Sequence, residues 1–154
     1  MTDRAINNAG KSLSLETLRH ACMDSDSMDI DAVIELSGML QSAGYYGELL
    51  ELLSRAALKW SNNIDLKLRM GRVHQLMGNL SDAVDCFRAV RRLDKDHVLS
   101  FVALARLRDA DLSDCYLLQK SGDLTSQEEI SLKYAEARIL EQSGRYDEAF
   151  QAYA

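Results

Sequence analysis

The chain has 154 residues, 47% hydrophobic and 27% charged, which is the balance of a globular protein with room for one domain or one repeat array. Its formal net charge of -6 argues against nonspecific nucleic-acid binding, because phosphate contacts need clustered lysine and arginine. No apolar run reaches the ~18 residues of a transmembrane helix, and the polar first residues lack the apolar segment of a signal peptide.

The first predicted helix lies close to the N-terminus. Residues 1–12 are polar and are expected to fray, whereas Ser14 can cap a helix that reaches about Met23. The apolar face of this helix carries Leu15, Leu18, Ala21 and Cys22. We interpret residues 1–26 as a polar N-terminus and a capping helix, which covers the open end of the helical array that follows.

A helical hairpin is predicted next. Ser27 can cap a helix over about 28–43, and a second helix follows over about 46–58. The apolar positions of the second helix are Leu49, Leu50, Leu52, Leu53, Ala56 and Ala57. The two helices can therefore bury a common apolar seam.

A second hairpin flanks Gly78, and it carries the clearest pattern in the chain. Glycine readily takes the left-handed conformation in which many helices end, so Gly78 is predicted to close the first helix. Apolar residues at helical spacing precede it at Leu66, Met70, Val73 and Met77. They follow it at Leu80, Ala83, Val84, Phe87 and Val90. The small residues Gly71 and Ala83 are predicted to meet where the two helices approach most closely.

The same pattern recurs along the chain. Gly44 lies 34 residues before Gly78, and Gly144 lies 66 residues after it, close to two more periods. Equivalent positions carry similar residues: Tyr46, Leu80 and Tyr146; Leu53, Phe87 and Tyr153; and the small Ser37, Gly71 and Ala137. This pattern resembles the tetratricopeptide repeat (TPR), whose period is about 34 residues. The resemblance implies an all-α fold without β-sheet, a right-handed α-solenoid of about four TPR-like hairpins, although this chain has no proline to end the second helices.

The third hairpin is predicted to be irregular. Its first helix covers about 97–109, and Leu112 takes the place of the repeated glycine. A short helix near 114–120 follows, so the least regular region is expected at 109–122. The fourth hairpin starts more clearly, because Thr125-x-x-Glu128 is a capping box before a helix over about 127–143.

The last predicted helix starts near Tyr146, and the chain stops within it at Ala154. Phe150 and Tyr153 are then expected to need a cover. Three interpretations are open: the chain is a piece of a longer protein, it self-associates through this C-terminal repeat, or it is simply truncated there. The predicted array covers 27–154, with repeats at about 27–61, 62–95, 96–124 and 125–154, the last incomplete.

Residues 104–153 carry a narrower resemblance. They are similar to the TPR region of bacterial TPR-containing sulfotransferase proteins, through "LARL", the cap "LTSQEE" and "GRYDEAF". In those proteins the repeats precede a catalytic domain. No stretch of this chain reads as a parallel strand with a glycine-rich, basic phosphate-binding loop, so a sulfotransferase site is not predicted within it.

We find no pattern that predicts an enzyme, a cofactor site or a metal site. Cys22, Cys86 and Cys115 lack Cys-x-x-Cys spacing, and we interpret them as reduced packing residues of a cytoplasmic protein. The histidines lie on different segments, and His74 occupies a packing position of the repeat. The many carboxylates are expected on the solvated faces of an acidic helical protein.

The pattern that points to function is a set of arginines on the first helices, which line the concave groove of a TPR array. Counting six residues before the glycine position gives Arg72, Arg106 and Arg138. Tyr134 lies one turn before Arg138, Gln75 lies one turn after Arg72, and Arg69 adds a further cation. Arginine forks suit carboxylates, phosphates and sulfates. The predicted groove residues are Arg69, Arg72, Gln75, Arg106, Tyr134 and Arg138.

Local ion pairing is the competing interpretation of these arginines. Arg106 could pair with Asp109, and Arg138 with Glu141, both three residues apart on a helix. Arg72 has no acidic residue three or four positions away, so its end of the groove is predicted to be positive. The sequence thus predicts a module that binds a protein or peptide, possibly an acidic one, with neither nucleic acid nor membrane as partner. The alternative is an N-terminal accessory region of a TPR-sulfotransferase.

Overall fold

The computed structural model describes residues 4–6 and 12–154. The predicted fraying of residues 1–12 therefore falls largely outside the described residues. The chain divides into two compact units, which meet between Asn79 and Leu80 along the sequence. We call the part up to Asn79 unit 1 and the part from Leu80 unit 2, and describe each by itself.

A short pair of strands precedes the helices of unit 1. Strand β1 (Arg4–Ile6) pairs antiparallel with β2 (Ser12–Ser14), and Ala5 lies opposite Leu13. The prediction of a chain without β-sheet is wrong at this point. Three-residue strands are too short for the alternation of apolar and polar residues that reveals a strand in a sequence.

Four helices build the rest of unit 1. They are α1 (Leu15–Ala21), α2 (Ile30–Ala43), α3 (Tyr46–Lys59) and α4 (Ile64–Leu76). Consecutive helices pack against each other, α1 on α2, α2 on α3 and α3 on α4. Their shared core includes Leu18, Val33, Leu36, Leu40, Leu49, Leu53, Leu66 and Val73. Nearly all of these apolar residues recur at the helical spacing that the sequence shows.

The starts of these helices agree only partly with the predicted caps. Ser14 does cap α1, because its side chain accepts a hydrogen bond from the backbone N–H of Thr17 at 3.2 Å. Ser27 does not cap α2, whose N-cap is Asp29 and has no side-chain hydrogen bond to the helix. The Ser27 hydroxyl instead donates to the carbonyl oxygen of Asp24 at 3.4 Å, in the turn that precedes the helix.

Unit 2 contains five helices among its residues, all of which are described. They are α5 (Leu80–Leu93), α6 (Val98–Arg106), α7 (Leu112–Gln119), α8 (Ser126–Gln142) and α9 (Tyr146–Tyr153). Helix α5 packs on α6, both α6 and α7 pack on α8, and α8 pairs with α9. The core shared by α6, α7 and α8 contains Val98, Phe101, Val102, Ala105, Cys115, Leu118, Leu132, Ala135 and Ile139.

The glycines at the predicted turns have the expected conformation. Gly44, Gly78 and Gly144 have φ angles of 78°, 79° and 76°. At each turn the glycine N–H donates to the carbonyl three residues earlier, and the following N–H donates to the carbonyl five residues before it. These bonds satisfy carbonyls that the helix leaves without partners, which is how a left-handed residue ends a helix.

The third predicted repeat uses Arg108 for the same purpose. Its φ is 61°, its N–H donates to the Ala105 carbonyl at 3.2 Å, and the Asp109 N–H donates to the Leu104 carbonyl at 2.9 Å. This is the hydrogen-bond pattern of the three glycine turns. The assignment of Leu112 to the glycine position is therefore wrong, because α6 ends at Arg106 and Leu112 already begins α7.

The fold class is confirmed, since the described chain is nearly all helical and its helices follow the repeat pattern. The capping box before α8 is confirmed as well, because Thr125 and Glu128 satisfy each other's backbone N–H groups. The right-handed twist of the array, the contact between Gly71 and Ala83 and the repeat boundaries stay predictions. Each of the first two concerns residues of both units.

Candidate partner-binding surface

Two of the predicted groove residues lie together on unit 2. Arg106 is the last residue of α6, and Tyr134 lies in the middle of α8. The guanidinium carbon of Arg106 is 5.5 Å from the centre of the Tyr134 ring. A cation over an aromatic face at an exposed site contributes about 0.5–1 kcal/mol. Both side chains remain exposed, so this contact leaves them accessible.

Tyr153 of α9 extends this pair. The rings of Tyr134 and Tyr153 have centroids 6.1 Å apart and are tilted by 59°, within the range of favourable aromatic pairs. Burial raises the pKa of the Tyr153 hydroxyl, and so does the neighbouring Glu141 carboxylate. Tyr153 therefore stays a neutral hydrogen-bonding group well above neutral pH. The sequence places Tyr153 in a packing position that the chain leaves without a cover, and its contact with Tyr134 is not predicted.

Arg138 and Glu141 border the same tyrosines. Arg138 Nη1 donates to Glu141 Oε2 at 3.2 Å, so the predicted pair three residues apart is confirmed. The Nε atom of Arg138 is buried and has no hydrogen-bond partner among the described residues. We name the set of Arg106, Tyr134, Arg138 and Tyr153 the tyrosine–arginine surface.

The second predicted local pair, Arg106 with Asp109, does not form. Asp109 lies beyond the end of α6, and both of its carboxylate oxygens accept hydrogen bonds from Arg88 of α5, at 2.7 and 2.5 Å. An ion pair between Arg106 and Asp109 requires a helix that continues through Asp109. Because α6 ends at Arg106, the two residues are not on one helical face.

The equivalence of Arg106 with the other two arginines also needs correction. With Arg108 in the glycine position, the residue six before it is Val102, which is buried. Arg106 lies only two residues before that position. The predicted equivalence of Arg72, Arg106 and Arg138 is therefore wrong for Arg106. Arg106 nevertheless contacts Tyr134, from the C-terminal end of α6.

The remaining predicted residues lie on α4 of unit 1. Arg69 is only partly exposed, because its Nε donates to Asp65 at 3.1 Å and its Nη1 donates to the buried Ser37 hydroxyl at 3.2 Å. The Asp65 pair neutralises a cation that the sequence analysis counts as free. Arg72 is exposed, and its side chain has no ion pair or hydrogen bond with any residue that the structure describes. Gln75 is half-buried, one turn further along the same face.

The chemistry of other candidate groups is consistent with packing roles. Burial raises the pKa of the Cys115 thiol to about 12, so this thiol is protonated at neutral pH and a poor nucleophile. Its sulfur instead approaches the Leu132 carbonyl at 3.5 Å.

Among the described residues there is no cluster of three or more side chains suited to a metal ion. No helix in the described part is long and apolar enough to cross a membrane.

Helix α9 also exposes two aromatic side chains outside the tyrosine–arginine surface. Phe150 is 77% exposed and Tyr146 is 69% exposed, whereas Ala149 is buried against the rest of unit 2. The expectation that Phe150 lacks a cover is thus confirmed. Tyr153 differs from it, because the contact with Tyr134 covers part of the ring.

Comparison with known proteins identifies the fold. No protein-family model matches the chain, and neither does any curated protein sequence. Among solved structures, MamA MSR-1 C2 is 19% identical with a TM-score of 0.66 and covers 90% of this chain and 80% of that chain. A crystal structure of MamA is 13% identical with a TM-score of 0.70, covering 90% and 82%. MamA is a TPR-like helical repeat protein, and at these identities the similarity establishes a TPR-type fold and nothing further.

Proposed function

We propose that this chain is a TPR-like protein-interaction module, and that the tyrosine–arginine surface contributes directly to partner binding. The observation that carries the proposal is the contact of Arg106 with Tyr134, and of Tyr134 with Tyr153, on side chains that remain exposed. Three helices contribute to this set. Tyrosine and arginine are the residue types that dominate the energy of protein interfaces.

An acidic peptide or an acidic loop of a partner domain fits this surface best. Arg106 and Arg138 offer guanidinium groups that can hold carboxylates with paired hydrogen bonds. The two tyrosine rings supply apolar area for the rest of the peptide, and their hydroxyls can donate hydrogen bonds. Glu141 already engages Arg138, so a carboxylate of the partner would compete with Glu141 for this arginine.

The role of unit 1 and of the C-terminal helix belongs to the same proposal. Arg72 and Gln75 on α4 are the predicted contribution of unit 1, whereas Arg69 serves mainly to hold Asp65 and Ser37. The exposed Phe150 supports self-association through the C-terminal repeat as one use of the module. We further propose that the chain acts without catalysis, cofactor or metal, and in the cytoplasm.

The sulfotransferase reading is the second candidate. It is supported by the sequence resemblance of residues 104–153, and under it this chain is the accessory region next to a catalytic domain. The native reading frame distinguishes the two candidates. A continuation past Ala154 into a strand and a basic phosphate-binding loop would favour the sulfotransferase reading.

Peptide titration tests the interaction proposal. Fluorescein-labelled peptides rich in aspartate and glutamate, and the same peptides with asparagine and glutamine instead, are titrated with wild type and with variants, following anisotropy. We expect the acidic peptides to bind at low salt and to weaken as salt rises. Arg106→Ala and Tyr134→Ala are each expected to weaken binding by about tenfold, because charge-assisted and aromatic contacts are lost.

Lys95→Ala is the matched control, since it removes one exposed positive charge from the α5–α6 connection of the same unit. It should leave the affinity nearly unchanged. Equal losses in Lys95→Ala and Arg106→Ala would show that only the total charge matters. Arg72→Ala tests unit 1 separately: an unchanged affinity would remove α4 from the binding surface.

A further inference from the structure

Unit 2 contains a second arginine-rich feature, which shares no residue with the tyrosine–arginine surface. It is an open cavity of about 520 Å³, formed by α5, α6 and the segment that leads into α7. We name it the arginine cleft. Its lining includes four arginines and three aspartates, among them Arg91, Arg92 and Arg108.

The cations of the cleft are not all used by its carboxylates. Asp109 is fully engaged by Arg88, through two hydrogen bonds. Arg91 pairs only weakly with Asp114, at a closest N–O distance of 3.8 Å. The guanidinium groups of Arg92 and Arg108 have no ion pair or hydrogen bond with any residue that the structure describes. Of the guanidinium groups of Arg91, Arg92 and Arg108, only that of Arg91 has an ion pair, and this pair is weak.

Arg91 shows where an acceptor is lacking. Its guanidinium carbon lies 5.5 Å from the centre of the buried Phe101 ring, and only 18% of its side chain is exposed. The Nη1 atom is shielded from solvent and has no hydrogen-bond partner among the described residues. A buried charged donor without an acceptor is costly. A ligand oxygen in the cleft would supply that acceptor.

Arg108 provides a second sign that the cleft is a site. It occupies the left-handed position that Gly44, Gly78 and Gly144 hold in the other turns. A side chain at such a position disfavours the folded backbone, since the left-handed region suits glycine best. The chain nevertheless has an arginine here, and this arginine lines the cleft.

We propose that the arginine cleft binds a phosphate group, with Arg91, Arg92 and Arg108 as its ligands. A phosphate dianion offers three oxygens to three guanidinium groups, and it neutralises more charge than a single carboxylate. Asp111 and Asp114 oppose the anion, but three arginines against two aspartates still leave one positive charge in excess. The volume exceeds that of a bare anion and lies in the range of small-molecule sites, about 300–1,000 Å³, so an organic phosphate can be accommodated.

Calorimetric titration distinguishes the sources of the phosphate group. The probes are inorganic phosphate, adenosine monophosphate and adenosine, added to wild type at low salt. Both phosphate-bearing probes should bind, and adenosine should not. Tighter binding of adenosine monophosphate than of inorganic phosphate would identify an organic phosphate as the ligand, and equal binding would identify the free anion.

Arg108→Gly is the sharpest variant. It removes one guanidinium group and gives the turn its preferred residue, so the protein should fold at least as well while phosphate binding weakens by about tenfold or more. Arg92→Ala should weaken binding to a similar extent. Arg145→Ala, an exposed arginine of the same unit that pairs with Glu148, is the control and should not change phosphate affinity.

Three results would overturn the proposal. They are failure of both phosphate probes to bind wild type, equal binding by wild type and Arg108→Gly, or an equal loss in Arg145→Ala. The proposal is independent of the peptide proposal, and Tyr134→Ala separates them. This variant should lose acidic peptides and keep phosphate affinity.

Discussion

Arg108 is the residue at which the third repeat departs from the others. Its backbone makes the hydrogen bonds of the glycine turns, but an arginine in the sequence does not indicate such a turn. Glycine is recognisable because few other residues tolerate the left-handed conformation. An arginine in that conformation gives no signal in the sequence, so the turn is predicted four residues too late, at Leu112.

The position of Arg108 predicts an effect on stability. Arg108→Gly should increase the free energy of unfolding by about 1 kcal/mol, because left-handed strain at a residue with a Cβ is removed. Urea unfolding followed by circular dichroism measures the change.

Gly144→Ala is the matched comparison. A Cβ at Gly144 would meet no other atom within 4 Å, so any loss is conformational rather than steric. We expect a loss of about 1 kcal/mol. A lower stability of Arg108→Gly than of wild type would show that the arginine side chain contributes more than the backbone strain costs.

The residues of the candidate surface were predictable only in part. Arg106, Tyr134 and Arg138 were all selected from the sequence, and the structure brings Arg106 to Tyr134. Tyr153 is expected from the sequence to lack a cover, but it is absent from the predicted groove, because its contact with Tyr134 depends on how α9 packs on α8. The partner of Arg69 was missed too, although Asp65 lies four residues before it, a spacing that itself favours an ion pair.

At the scale of elements, helix positions followed from apolar spacing and glycine turns. Helices α2, α3, α8 and α9 start or end within about two residues of their predicted bounds, the usual uncertainty of helix ends. The predicted helix over about 97–109 is longer than α6, because the sequence does not reveal that the left-handed Arg108 follows its end. The predicted cap at Ser27 is wrong, because the chain forms a turn there before α2 begins. The strands β1 and β2 are too short for an alternating apolar pattern to reveal them.

The capping box of α8 should contribute measurably to stability. Thr125 accepts a hydrogen bond from the Glu128 N–H at 3.3 Å, and the Glu128 carboxylate accepts one from the Thr125 N–H at 2.8 Å. Thr125→Ala should lower the free energy of unfolding by about 1 kcal/mol, the usual cost of losing such a cap. An unchanged urea midpoint would contradict this account.

The same box predicts a dependence on pH. Hydrogen bonds from the Thr125 backbone, then from its side chain, lower the pKa of Glu128 below the value of 4.5 for a free glutamate. A lowered pKa in the folded state means that this contribution is present above the unfolded pKa and is lost as pH falls through the folded pKa.

Glu128→Gln tests this contribution. The stability difference between wild type and the variant should shrink as the pH falls below the unfolded value. Glu129→Gln, which changes the adjacent exposed carboxylate, is the control and should show a smaller dependence. Parallel pH curves for wild type and Glu128→Gln would contradict the role of the carboxylate.

At the scale of the molecule, the periodic sequence predicts the fold class, and the MamA structures share this fold despite low sequence identity. Such agreement is expected, because a repeat fold depends on apolar spacing and small turn residues more than on particular side chains. The same property limits what the fold says about partners. On a chain of net charge -6, a cluster of exposed arginines distinguishes one surface from the otherwise acidic remainder, and so indicates where an acidic partner would bind.

Backbone amide shifts in a nitrogen-15 correlation spectrum test the central claim most directly. An acidic peptide is added to the labelled protein at low salt, with its asparagine and glutamine analogue as control. We predict that the largest shifts fall at the end of α6 around Arg106, in the middle of α8 around Tyr134 and Arg138, and at the end of α9 around Tyr153, and that the analogue causes none of them. Shifts that are confined to other helices, or that are the same for both peptides, would contradict the account.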